Sequence, residues 1–140
     1  MIRDLFLNLP VADLPATKTF FATLGFEFDP RFTNDDAACM VINEHAFVML
    51  LQRSFFQTFT KLDICDTRRS IEGLFAFDTD SRASVDALME TAIDAGATEA
   101  RDPSDYGFMY SRSFLDLDGH QWEVIWMDME QFLAAQSATT

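Results

Sequence analysis

The sequence predicts an α+β fold in which one strand–helix–strand–strand–strand module is used twice. Three observations predict it. Two amphipathic helical stretches each end at a glycine; apolar strand-like runs flank each helix in the same order; and equivalent landmarks recur at a nearly constant offset. With 140 residues, 49% of them apolar and 24% charged, the chain is one domain's length and can build a core.

The first strand is expected over Leu5 to Pro10, ahead of a helix from about Leu14 to Leu24. Asp13 is a good N-cap, Pro15 is tolerated in the first turn, and Gly25 suits a left-handed stop. A short strand, Phe26-Glu27-Phe28, ends at Pro30; Ala37 to Ile42 then turns at Asn43-Glu44-His45 into Ala46 to Leu51. In the other half, Leu74 to Asp78 precedes a helix from about Arg82 to Ala95, capped by Asp80 or Ser81 and stopped by Gly96. Val85, Leu88, Met89 and Ala92 make its apolar stripe. Ala97 to Ala100 follows, with Pro103 taken as its end; Phe108 to Leu117 then turns at Asp118-Gly119-His120 into Gln121 to Met127.

The register supports a repeat. Asp13 and Asp80 lie 67 apart, Gly25 and Gly96 71 apart, and His45 and His120 75 apart, a drift that small loop insertions produce. Module one is therefore placed at about 4–52, a lid or linker at 53–72, module two at about 73–128 and a tail at 129–140. One sheet face per module is poorly buried alone, but two modules can enclose a core. The connection carries Phe55, Phe56 and Phe59 and shows no period; the tail is weakly helical through Leu133.

A formal charge of −13 repels phosphate backbones and anionic lipid, so neither nucleic acid nor membrane is expected as a partner. No stretch is long enough to span a bilayer, and Met1-Ile2-Arg3-Asp4 does not open a secretory leader. Cys39 and Cys65, 26 residues apart, read as reduced thiols of a cytoplasmic protein. A structural zinc site needs four Cys or His ligands in clustered pairs, and the two Cys and two His of this chain form no such pairs.

At the level of motifs, Leu7-Asn8-Leu9-Pro10-Val11-Ala12-Asp13-Leu14, Phe20-Phe21-Ala22-Thr23-Leu24-Gly25-Phe26 and Asp116-Leu117-Asp118-Gly119-His120-Gln121-Trp122-Glu123-Val124 stand in a telling order. They resemble the glyoxalase, bleomycin-resistance and extradiol-dioxygenase superfamily, the vicinal oxygen chelate fold. Gly107 to Phe114 and Val48 to Leu51 look like its uncharacterised lactoylglutathione-lyase-like branch. The resemblance implies that the two modules form a curved mixed-sheet cup and that the protein is a homodimer. It also implies, for enzymatic members, a divalent metal held by two inward side chains from each module and acting as a Lewis acid.

Carried over position by position, the four ligand places fall on Phe6, on Met49 or its neighbour Val48, on Leu74 and on Glu123. Three are apolar, so no metal or other cofactor is expected, and a lone carboxylate does not hold a catalytic cation against water. His45 and His120 sit at turns and are read as surface residues; Asp35-Asp36, Asp116 and Asp118 are read as turn-capping.

Glu123 interrupts an apolar strand and is expected to point into the cup with Gln121 and Ile125. A buried carboxylate needs a partner, and Arg112 on the neighbouring strand is the candidate. The pair is either structural or functional; in the second case Glu123 recognises a ligand amine or hydroxyl, or serves as a general base. Asn8, with Phe6 on the first strand, would fix ligand orientation or bond a neighbouring strand end. Tyr110 and Arg112 alternate with Phe108 and Phe114, so one pair is expected in the cup, Arg112 there clamping an anion. Trp122 and Trp126 share the opposite face and pack on a helix; Cys39 is a small core residue. Phe55, Phe56 and Phe59 either close the cavity or anchor their own loop. The resulting expectation is a metal-independent binder of a small, partly apolar molecule in a Phe-lined cup. The alternative is an enzyme of the same superfamily, lyase-like, dioxygenase-like or a metal-free isomerase using Glu123.

Overall fold

In a computed structural model, residues 1–138 are described; Thr139 and Thr140, the end of the expected tail, lie outside them. The chain divides between Asp66 and Thr67 into two compact units.

The first unit contains β1 (Leu5–Val11), α1 (Leu14–Thr23), β2 (Glu27–Phe28), a 3-10 turn over Pro30–Phe32, β3 (Ala37–Asn43), β4 (Ala46–Gln52) and α2 (Arg53–Gln57). Asp13 caps α1 by accepting the Ala16 N–H at 3.1 Å, and Gly25 leaves it at φ +101°. The sheet order is β1-β4-β3-β2, with β1 parallel to β4 and the other pairs antiparallel. Leu9, Val11, Val48 and Leu50 alternate onto the buried side, where Leu14, Phe20 and Phe21 join them. Phe20 and Phe21 meet edge to face, centroids 4.9 Å apart.

The second unit repeats the plan with β5 (Leu74–Asp78), α3 (Arg82–Asp94), β6 (Thr98–Asp105), β7 (Met109–Leu115) and β8 (Gln121–Met127), then adds α4 (Met129–Ala138). Its order, β5-β8-β7-β6, is that of the first sheet, again with one parallel pair. Ser81 is the α3 cap, accepting the Ser84 N–H at 3.0 Å. Val85, Met89 and Ala92 are buried, as are Phe114, Trp122 and Val124 on the strands.

Three expectations need correction. β6 runs through Pro103 instead of ending before it: it is an edge strand with two register shifts, and there a missing N–H breaks no ladder. The connection is not structureless, since α2 occupies its start and packs on β1 and β4. His120 is not a surface residue. It is 1% exposed, its Nδ1 lies in close contact with the Glu72 carboxylate, and its ring meets Phe75 edge-on at 6.4 Å. Glu72 belongs to a strap, residues 67–72, that lies against the β7–β8 turn, where the Thr67 hydroxyl donates to the Asp118 carbonyl. Asp116 closes that turn by accepting the Asp118, His120 and Trp122 Nε1 N–H groups at 2.9 to 3.0 Å. Burial pushes its carboxyl above the ordinary range, against the pull of His120 and these donors.

Candidate functional site

Strand parity sorts the candidate residues of the second unit onto two faces. Trp122, Val124 and Trp126 turn toward α3; Gln121, Glu123 and Ile125 turn away. On β7 the antiparallel register sets Ser113 opposite Glu123 and Ser111 opposite Ile125, while Arg112 lies opposite Val124 and Tyr110 opposite Trp126.

The face away from α3 carries a compact polar group. Glu123, with its side chain 13% exposed, accepts a hydrogen bond at Oε1 from Arg101 Nη2 at 3.3 Å. The same guanidinium nitrogen donates to Ser111 Oγ at 3.2 Å, and Nη1 to the Asp102 carbonyl at 3.1 Å. Among the described residues, the buried Glu123 Oε2 meets no hydrogen-bond partner, and neither does the hydroxyl of Ser113, which is 0% exposed. Beside Glu123 on β5 stands Ala76, small and exposed, and two residues before it Leu74 is 60% exposed. A buried acceptor and a buried hydroxyl left unsatisfied are costly and uncommon.

The expected partnership of Arg112 with Glu123 is therefore corrected to Arg101 with Glu123. Arg112 lies on the α3 side, 12% exposed, and reaches the carboxylates of Asp86, Glu90 and Glu99 at 3.1, 3.4 and 3.2 Å. Tyr110 shares that side: its hydroxyl donates to Asp86 at 2.7 Å and its ring lies under Arg82, 4.5 Å from guanidinium to centroid. The Tyr110 hydroxyl, then Arg112, hold the Asp86 carboxyl below its ordinary value. Neither Tyr110 nor Arg112 is on the Glu123 face.

In the first unit, β1 and β4 pair Phe6 with Phe47 and Asn8 with Met49 on one face. Phe6, half exposed, stacks on Phe47 at 4.9 Å. Asn8 turns its amide to the Phe6 carbonyl at 3.4 Å, a local bond that leaves the residue lining a cavity of about 380 Å³ with Leu51, Phe56, Phe59 and Thr60. Phe55 packs edge-on against Phe59, centroids 5.1 Å apart, and braces α2. Cys39 is buried and a free thiol, raised by that burial above its ordinary pKa. His45 is an exposed turn residue bonded to Asp4 at 2.9 Å, and Asp35 and Asp36 are exposed.

Residues 3–43 match the sequence family described as bleomycin resistance protein-like N-terminal. No curated protein matches the chain. Among solved structures, a hypothetical protein from S. aureus superposes with a TM-score of 0.76 at 25% identity, covering 89% of this chain and 94% of that one. A glyoxalase-related enzyme from Fulvimarina pelagi gives 0.74 at 20%, covering 90% and 88%. A glyoxalase/bleomycin resistance protein/dioxygenase family enzyme from Burkholderia phytofirmans PsJN gives 0.72 at 19%, covering 87% and 96%. The duplicated module and these likenesses give the chain the fold seen in glyoxalase/bleomycin resistance/dioxygenase proteins. Its first module is similar, more particularly, to the bleomycin-resistance-like N-terminal module.

The divalent metal that this superfamily implies does not fit the residues present. Among the described residues no group of three or more His, Cys, Asp or Glu is placed to hold one. The Glu123 carboxylate is bonded to the Arg101 guanidinium and lies across the strands from Ser113, so a cation already neutralises it.

Proposed function

We propose that the protein binds a small, partly apolar molecule without a catalytic metal. The observation that carries this reading is Glu123, ion-paired to Arg101 yet with its second oxygen unsatisfied, beside the exposed Leu74 and Ala76. The aromatic cavity at Asn8, Phe56 and Phe59 supports it from the first unit, since ligand sites are mostly apolar with a few fixed polar groups. The assembly proposed is a homodimer, on the ground that β1 is an edge strand with Leu5 and Phe6 exposed, and a cytoplasmic location is proposed because Cys39 and Cys65 are free thiols. No described helix is long and apolar enough to cross a membrane.

The test is purification without chelator, metal analysis, and ligand-observed NMR with a panel of small aromatic compounds before and after EDTA. Substoichiometric metal and binding indifferent to EDTA are expected. Stoichiometric Fe, Mn, Ni or Zn, with binding abolished by EDTA, overturns the proposal. The free Oε2 also favours a second reading in which Glu123 is a general base. That reading requires Glu123→Gln to abolish turnover of a bound substrate while sparing its affinity.

A further inference from the structure

From the two unsatisfied oxygens we infer that the Glu123 face takes a neutral hydroxyl group, so that the ligand is an alcohol or a phenol. The inference rests on the small-molecule reading above and specifies what its polar end must be.

Glu123 and Ser113 are cross-strand partners, directly opposed on β8 and β7, so their side chains leave the sheet side by side. Arg101 holds only Oε1 of the carboxylate, and the Ser111 hydroxyl accepts from the same guanidinium nitrogen. What remains is one acceptor, Glu123 Oε2, and one hydroxyl, Ser113 Oγ, both buried. An ionised carboxylate only accepts, so the visitor must donate to it; the Ser113 hydroxyl is then free to donate back. A hydroxyl does both with one atom.

Charge chooses between a hydroxyl and an ammonium. Glu123 and Arg101 already balance, so a cationic or anionic ligand would bring an uncompensated charge into a site where Glu123 is nearly buried. A neutral group brings none. The apolar remainder of the ligand has a floor on Ala76 and Leu74, which are exposed next to Glu123 and carry no charge.

The experiment compares phenol with toluene, its near-isostere without the hydroxyl, and with benzylamine and benzoate, by NMR titration against the full-length protein. A purely apolar pocket prefers toluene, because an unpaired hydroxyl loses its water on entry. This site should invert that order, with phenol binding about ten-fold tighter than toluene and the two charged probes weaker than both. Ser113→Ala and Glu123→Gln should each remove most of the preference for phenol over toluene, and Ser113→Thr, which keeps a hydroxyl, should retain it. Wild-type-like amide NMR spectra show that each variant is folded. Toluene binding as well as phenol overturns the inference and assigns the two oxygens to a buried water. So does a lead for benzylamine or benzoate, or a phenol preference that survives both variants. Those results leave the small-molecule reading standing; failure of all four probes to bind overturns the reading and the inference together.

Discussion

Arg112 is the hub of the α3 side, drawing Asp86, Glu90 and Glu99 onto one guanidinium. Its own charge is nearly buried, while its partners reach solvent and recover hydration when it is removed. Arg112→Met should therefore cost only about 1–2 kcal/mol, read by urea unfolding. Asp86 adds a pH dependence with a definite sign. Its pKa in the folded protein is depressed, so its contribution is present above the ordinary carboxylate value of 3.8 and fades as pH falls through the lower folded value. The stability gap between wild type and Asp86→Asn should be full at neutral pH and close at acid pH; a constant gap would refute the assignment. Of the site, Glu123 was legible because a carboxylate breaks an apolar strand. Arg101, Ser111 and Ser113 were not. Serines in a strand carry no signal until the register of β7 on β8 is known, and Arg101 sits on a strand that Pro103 made look finished. The Ser111-Arg112-Ser113 alternation did contain a clue, since Arg112 cannot share a face with both serines.

Among the elements, the β7–β8 turn depends on a glycine in two ways. Gly119 has φ +82°, and a Cβ there would stand 2.6 Å from the Thr67 hydroxyl, so the strap of residues 67–72 leaves no room for a side chain. Gly107, at φ +80°, has open space around it and isolates the backbone cost. Gly107→Ala should lose about 1 kcal/mol, and Gly119→Ala more, because it also displaces Thr67 from the Asp118 carbonyl. Thermal unfolding of the two variants separates the terms, and equal losses would show that the strap yields freely. Both long helices of the modules were legible, since caps, glycine stops and 3.6-residue spacing agree at Asp13, Gly25, Ser81 and Gly96. The five-residue α2 is too short to show a period, and its place depends on packing against β1 and β4.

For the whole chain, a net charge of −13 and exposed Leu5 and Phe6 pull in opposite directions: repulsion disfavours association, and apolar burial favours it. If the proposed dimer uses β1, its affinity should rise with ionic strength as the repulsion is screened. Light scattering after size exclusion should give twice 15.9 kDa for wild type and half that for Leu5→Glu. A wild type that stays monomeric at all salt concentrations refutes the dimer. The two margins of the second sheet are guarded unequally. β6 has Pro103, two register shifts and the charges of Arg101, Asp102 and Asp105, whereas β5 reads Leu74-Phe75-Ala76-Phe77 without interruption. Any strand recruited from outside, by another chain or by a peptide, can lengthen this sheet in one direction only. Growth of this sheet into a fibril, which requires addition at both margins, is opposed at the Pro103 margin.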